Sequence, residues 1–526
     1  MASAGLLRLL NSGLQDDRLL PPDQEADLDP LKQRATKGGR FTTELVRVDF
    51  DNRPAFGVQA KATIPRKGHL ITRAYLVARM PDIRTQQQAA RAWCQANGKD
   101  FAGPTFGWTN SLGHALVSQA QVTIAASPID TIDGRLLEVL DEFHTSLEKT
   151  TTVNRLLKRK DNGFTPTSFG FSTTNEEVVV PLPFWFTRDP AAALPIDAIG
   201  TDPVQINITF SPLTSVYVST AHTFNTNGQD SYFPLPSSPF YYIDNSNTPT
   251  SSQLVKGLNG NPAVAAAPVS KVPAIQMPAQ ESLLLQDSYL LLEYVYIDQP
   301  EANRIRLADL SYPIVQHYAI PPYDSKGMAN VRIPMRVPNP TREFYFMVHR
   351  QDADPLNAPF LATRDLSGLP MFDLSGVGPT APWWPDASGL NTTTFLPLIP
   401  AFSELDSEAI DSFALQYEGK IVRYATDSPA FFRSILQSVE QTKTPWHNKY
   451  YYHIPFGTQH EQFGITNPMG HANLDKVQKV DLAIQFKPMR GSQSVTNLPS
   501  YTIYIWAETY NILRVYGGRA GLLFGY

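Results

Sequence analysis

The residues that could do chemistry in this 526-residue chain are ten histidines, one cysteine and 49 acidic side chains, and their spacing mostly argues against reactive roles. A phosphate-cradling loop needs Gly-Lys-Ser/Thr at a helix start. Gly98-Lys99 is followed by Asp100 and Gly419-Lys420 by Ile421, so neither supplies the hydroxyl. Zinc hydrolases set two histidines one helical turn apart around a glutamate, and no pair here does so. His447, His453 and His460 fall six and seven residues apart in a Tyr-rich segment; a metal site is one reading, exposed or strand-packed imidazoles the other. Cys94 stands alone and closes neither an intrachain disulfide nor a Cys-based zinc site. No Gly-x-Ser-x-Gly elbow occurs. The residues therefore assign no catalytic, cofactor-binding or metal-ligating position.

Weaker signals remain. With 49 carboxylates, some pair must lie within glycosidase distance by chance, and the sequence does not say which. The run Arg155-Leu156-Leu157-Lys158-Arg159-Lys160 could meet phosphates, nucleic acid or an acidic partner, but no aromatic stacking platform is interleaved, so a solvated loop is the plainer reading. Trp108, Trp185, Trp383, Trp384 and Trp506 could stack on sugars. In strands such residues are more often core, which leaves the loop pair Trp383-Trp384 as a binding candidate. Asn391-Thr392-Thr393 and Asn207-Ile208-Thr209 have the form of glycosylation sequons, the second within an expected strand.

The whole composition sets the frame for these groups. A net charge of -5 argues against a protein that coats nucleic acid, and no direct nucleic-acid binding is expected. Charged residues are 18%, below the ~25% of average chains, while 42% are hydrophobic, which is not a disorder signature. No apolar run approaches the ~18 residues of a membrane span. Arg8 interrupts the apolar start before a signal-peptide core develops, so the expected product is soluble and made in the cytosol. Residues 5–14 read either as a short amphipathic segment that docks on a partner or lipid, or as a disordered or locally packed terminus.

Strands must position whatever function there is. Period-two alternation, which turns alternate side chains to one face, is cleanest over Val204–Phe210 and Val480–Phe486. It recurs over His69–Ala78, Leu116–Ile124, Tyr289–Ile297, Arg342–Val348 and Tyr501–Ile505, punctuated by turn residues among which prolines number 44. Helices are few: Asp133–Phe143, with Leu136, Leu140 and Phe143 on one side, and Ser428–Leu436, with Ser at the N-cap and Pro at the first helical position. Residues 212–281 and 351–400 read as long excursions. The class is all-β and antiparallel. Two halves of like organisation, 40–300 and 308–526, join near Arg304 to Pro313, with an N-terminal arm over 1–39.

Several segments together resemble the major capsid proteins of nucleocytoplasmic large DNA viruses. Val180-Pro181-Leu182-Pro183-Phe184-Trp185-Phe186-Thr187-Arg188-Asp189-Pro190, followed by Ala193-Leu194-Pro195, is similar to that family's Pro-Leu-Pro-Phe-Trp-Phe segment and its downstream Ala-Leu-Pro. Gly113-His114-Ala115-Leu116-Val117 with Ile132-Asp133 resembles an upstream block. Tyr450-Tyr451-Tyr452, Pro468, Gly470, Asn473 and Asp475 resemble its Tyr-rich strand and following turn, and Tyr510–Arg514 with Gly518, Gly521 and Leu522 its terminus.

The resemblance implies two tandem eight-stranded jelly rolls in one chain, with long loops and a few short helices. It implies a homotrimer of pseudo-hexagonal outline, trimer–trimer contacts that tile an icosahedral virus shell, and residence in the virion after synthesis in host cytoplasm. Partners would be other copies of the chain, minor capsid proteins beneath the shell and, through the N-terminal arm, an internal viral membrane. It implies no enzyme activity and no cofactor. The alternatives are a minor capsid or assembly-scaffold protein of the same fold, which the resemblance equally implies, or, from the residues, a carbohydrate-binding or glycan-cleaving β-sandwich.

Overall fold

Four antiparallel sheets carry the same strand order twice. The computed structural model describes residues 41–81, 105–109, 111–159, 177–224, 230–235, 284–351, 360, 408–425, 429–445, 449–457, 465, 470–487 and 500–525. In the first half β1 (Phe41–Asp49), β11 (Asp287–Ile297), β3 (Leu70–Arg79) and β7 (Glu177–Pro181) are hydrogen-bonded neighbours in that order. Their opposing sheet is β2 (Gln59–Thr63), β8 (Val204–Phe210), β5 (Val117–Ile124) and β6 (Ser127–Asp133). A small sheet orders β10 (Asp230–Leu235), β9 (Tyr217–Phe224) and β4 (Thr105–Trp108).

The second half repeats the plan. One sheet runs β12 (Leu310–Asp324), β20 (Tyr501–Tyr516), β14 (Pro340–Arg350) and β17 (Tyr451–Pro455), with β18 (Ala472–Asn473) on β14 and β21 (Arg519–Leu522) on β20. The other runs β13 (Asn330–Met335), β19 (Val480–Phe486), β15 (Ile410–Tyr417) and β16 (Lys420–Ala425). Ranked along the chain, the eight main strands of each half order as first, eighth, third, sixth in one sheet and second, seventh, fourth, fifth in the other. Two sheets wound in this way make a jelly roll. The molecule is thus all-β, two tandem jelly-roll sandwiches.

The expected strands at 204–210 and 480–486 match β8 and β19 residue for residue. Their β-branched side chains fit the pleat, with Ile206, Ile208, Leu482 and Ile484 facing inward and buried. The strand expected at 501–505 runs much further, to Tyr516, and that expected at 116–124 begins at Val117, because α1 (Leu112–Leu116) precedes it. The helix expected at 133–143 is α2 (Gly134–His144), with the Asp133 side chain accepting from the Leu136 N–H. It is not amphipathic in place: Leu137, Val139, Glu138 and Glu142 are buried along with Leu136, Leu140 and Phe143.

Three expectations need correction. The excursion at 212–281 contains β9 and β10, so part of it is sheet rather than loop. The join near 304–313 is helix α5 (Gln299–Leu307, numbered after α3, Leu147–Leu157, and α4, Trp185–Arg188) and then strand from Leu310, with Pro313 inside β12. The second helical excursion is a π turn, Phe431–Ile435, continued as α6 (Leu436–Glu440); its expected cap, Ser428, lies outside the described residues. So do residues 361–400, with Trp383-Trp384 and Asn391 among them, and the N-terminal arm.

The β12–β20–β14–β17 sheet is covered on both faces. Phe344, Phe346, Tyr452, Ile503 and Ile505 face the core of the second sandwich, whereas Tyr345, Met347, Tyr451 and Trp506 belong to the core of the first. The alternation expected over Arg342–Val348 needs correction: Phe344 to Val348 are all buried, and a strand covered on both sides reads as a continuous apolar run.

Candidate functional site: the seam between the sandwiches

The second covered face is where the halves meet, and α2 lies across it. Asp133, which caps α2, accepts a hydrogen bond from Trp506 Nε1 at 2.9 Å. One residue into the helix and its turn, the Arg135 guanidinium sits 4.4 Å over the Tyr504 ring. At the far end Phe143 packs with ring centroids 5.6 Å from Tyr345 and 5.8 Å from His453, and its carbonyl accepts from the Lys443 N–H at 3.1 Å. The helix therefore spans strands β20, β14 and β17 of the other sandwich.

Beneath it lies a buried ionic network. Arg159 Nη2 donates to Glu138 Oε2 and Nη1 to Asp141 Oδ2, both at 2.5 Å. His114 Nδ1 is 2.6 Å from Glu138 Oε2. From the second sandwich, Lys449 Nζ donates at 2.7 Å to both Glu138 and Glu142, and Lys443 Nζ lies 3.0 Å from Glu142. Burial pushes the Glu138 carboxyl up, but the charges of Arg159 and Lys449 and the His114 bond outweigh it and hold it well below the usual carboxylate range. The same contest, won by Lys449, Arg159 and Lys443, brings Glu142 down to about 2.

A second knot ties the sheets together further along. Glu508 accepts from Arg342 Nη1 at 2.7 Å and from Arg188 Nη1 at 3.0 Å, the latter from α4 of the first sandwich. Asp130 accepts from the His317 backbone N–H at 2.9 Å and pairs with its ring at 3.1 Å. Burial lowers the His317 pKa, yet Asp130 and Glu508 outweigh it and the net shift is upward.

This arrangement clamps rather than reacts. Glu138 and Glu142 are the sort of carboxylate pair a glycosidase needs, but both are buried and held ionised by cations, so neither can supply a proton as general acid. Among the described residues, no group of three or more His, Cys, Asp or Glu is placed to hold a metal ion. His453 is spent inside the fold, 2.6 Å from Glu343 Oε2 and 2.7 Å from Gln437 Oε1; His447 and His460 lie outside the described residues.

Two family models match the chain in succession: "Major capsid protein N-terminus" over residues 31–255 and "Large eukaryotic DNA virus major capsid protein" over 303–521. The chain belongs to the major capsid protein family of large eukaryotic DNA viruses. It is 27% identical over 229 residues to Capsid protein 1 of Acanthamoeba polyphaga mimivirus, covering 41% of this chain and 36% of that protein. It is 30% identical over 211 residues to the major capsid protein of Pyramimonas orientalis virus, covering 39% and 46%. The chain thus spans less than half the length of these curated relatives. In fold it is similar to PBCV-1 VP54, fitted into a reconstruction of the virophage Sputnik, with TM-score 0.63 at 16% identity over 94% of this chain and 100% of that one.

The segments that carry the capsid-family resemblance converge on the seam. Arg188 ends the Phe-Trp-Phe block and reaches Glu508, while Trp185 and Phe186 are buried edge-to-face at 5.1 Å. His114 contacts Glu138, and Tyr451 and Tyr452 point to opposite cores. Asn511 Nδ2 donates to Gln316 Oε1 at 2.7 Å and to the Phe524 carbonyl at 2.8 Å. Trp108 and Trp506 are core residues, as strand placement implies, and Trp185, which opens α4, is buried as well. The reading of Arg155–Lys160 as a solvated run needs correction at Arg159, which is buried. Lys443, Lys449, Glu138, Glu142, Arg342 and Glu508 carry no sequence signal that singles them out; only the structure assembles them.

Proposed function

We propose that this chain is the structural major capsid subunit of a large DNA virus, located in the virion shell and acting as a stiff, non-catalytic building block. The observation that carries this is the twice-repeated jelly roll joined by a buried ionic seam. Two sandwiches per chain, multiplied by a three-fold axis, give six similar lobes, the outline that hexagonal tiling of an icosahedral shell requires. In this reading residues 40–300 and 308–526 are the two lobes and residues 1–39 an arm directed beneath the shell, toward minor capsid proteins and an internal membrane. The low charge fraction fits extensive burial between subunits, since interface cores are depleted of charge.

Electron microscopy and sedimentation of the purified chain test it. A three-fold particle with a six-sided outline is the expected result; a strict monomer at micromolar concentration overturns it.

A further inference from the structure

Between its fifth and sixth strands the second sandwich carries a helix, Phe431 to Glu440, that buries only one side. Phe432 packs on Phe413 with ring centroids 5.0 Å apart, the Arg433 guanidinium lies 4.7 Å over the Tyr450 ring, and Gln437 Oε1 is 2.7 Å from His453 Nδ1. On the opposite side Phe431, Ile435 and Val439 follow one another at four-residue spacing, 45%, 64% and 57% exposed. Three aligned apolar side chains in water are an unfinished contact. In the first sandwich the equivalent helix, α2, has its outward side covered by the second.

Arg433 also marks where a further stretch of chain arrives. Its Nε lies 3.7 Å from Oε1 of the buried Glu408, which accepts from Tyr452 Oη at 2.6 Å. The next carbonyl, that of Ala409, accepts from the Lys487 N–H at 2.9 Å, so the chain is anchored beside this helix just before β15 begins. Upstream of Glu408, outside the described residues, the sequence reads Phe395-Leu396-Pro397-Leu398-Ile399-Pro400-Ala401-Phe402, an apolar run that no charge interrupts. Leu398 precedes Glu408 by ten residues, a tether that reaches at most about 35 Å. From Arg433 the helix needs less than about 10 Å to reach Val439, so the whole stripe lies within that reach.

We propose that the Phe395–Phe402 run of the same chain docks on the Phe431–Ile435–Val439 stripe and completes the second sandwich. Tethering favours this occupant over a separate molecule: a short linker holds its segment at an effective concentration in the millimolar range, above the micromolar level of a partner in solution. Pro397 and Pro400 have no N–H, and they hold Leu396 and Ile399 in extended backbone. The run therefore lays down on an apolar surface with two fewer donors to leave unpaired and less conformational freedom to lose. The contact lies within one chain and does not depend on the assembly that the chain builds.

Cys94 is the sole cysteine, so Cys94→Ala gives a thiol-free full chain for the test. With Leu398→Cys and Ile435→Cys added, mild oxidation is expected to yield a disulfide-linked species of monomer mass, mapped by peptide mass spectrometry. Leu398→Cys with Ile421→Cys is the control: Ile421 is 56% exposed near the β15–β16 turn, and linking there is expected to be at least about tenfold slower, as tethering without docking allows. Linking no faster than the control overturns the proposal, and so does a linked species of dimer mass, which assigns the stripe to a second copy. Hydrogen exchange supplies a second reading without cysteines. Ile435→Glu is expected to speed amide exchange of the peptide holding Leu398 by about tenfold or more at an unchanged unfolding midpoint; equal exchange in the two chains overturns the proposal. Neither result bears on the shell reading, which particle images and sedimentation decide.

Discussion

Lys449 reaches back 311 positions in sequence to place its ammonium 2.7 Å from the Glu138 carboxylate. The same nitrogen is 2.7 Å from Glu142, so one cation from the second sandwich neutralises two anions on α2 of the first. Removing one partner of a buried ionic group costs more than the group contributes intact, because the remaining charge is left in low dielectric. Lys449→Met, which keeps the apolar stem, is expected to lower the unfolding free energy by about 3–5 kcal/mol. In Lys449→Met/Glu142→Gln the loss is expected to fall short of the two single losses added together. Urea titration of the three variants measures this; strict additivity contradicts the coupling.

The seam also has a pH signature. Glu142 is held at about 2, below its ordinary 4.5, so its contribution is fully present above pH 4.5 and lost as pH falls from there toward 2. Glu138, held low in the same way, adds to that slope. His317 is raised above its ordinary 6.5, so its contribution is complete below that value and is lost as pH rises through its folded pKa. The thermal midpoint is expected to drop steeply below about pH 4.5, and Glu142→Gln to flatten that drop. An acid limb of unchanged slope in the variant removes Glu142 from the explanation.

How much of this was legible in sequence divides cleanly by range. Alternation over Val204–Phe210 and Val480–Phe486 is a local property, and it located β8 and β19 to the residue. The seam is not local: Glu138, Arg159 and Lys449 converge from three separate segments. Arg159 was hidden inside what looks like a solvated basic run. It points inward because α3 ends at Lys158 in the left-handed conformation, φ 56°, and the Arg159 N–H returns to the Asn154 carbonyl, which folds the chain back under the helix. The apparent amphipathicity of α2 misled for a related reason, since its polar side faces a buried network rather than water.

Asp133 joins a helix cap to the seam, and the two roles can be separated. Its Oδ1 accepts from the Leu136 N–H at 2.6 Å and its Oδ2 from Trp506 Nε1 at 2.9 Å. Asp133→Ala strips both donors of their acceptor and is expected to cost about 2–3 kcal/mol. Asp133→Asn keeps one oxygen for the cap and is expected to cost less. Trp506→Phe leaves the cap intact and isolates the cross-seam bond. Thermal unfolding of the three ranks the contributions, and equal losses for Ala and Asn contradict the capping role.

The next residue sets how closely α2 approaches the strand before it. A Cβ at Gly134 would lie 2.2 Å from the Val117 carbonyl oxygen and 2.3 Å from that of His114. Both obstacles are backbone, so relief requires moving α2 as a body, and that motion carries Glu138 and Phe143 away from Lys449 and Tyr345. Gly134→Ala is therefore expected to cost at least about 3 kcal/mol, the upper end of overpacking. Gly419, at the β15–β16 turn, is the control: its φ is +82°, but nothing lies within 4 Å of an added Cβ. Gly419→Ala is expected to cost about 1 kcal/mol, the strain of a left-handed alanine alone. If the two substitutions lower the unfolding midpoint equally, close approach at Gly134 is not what positions the helix across the seam.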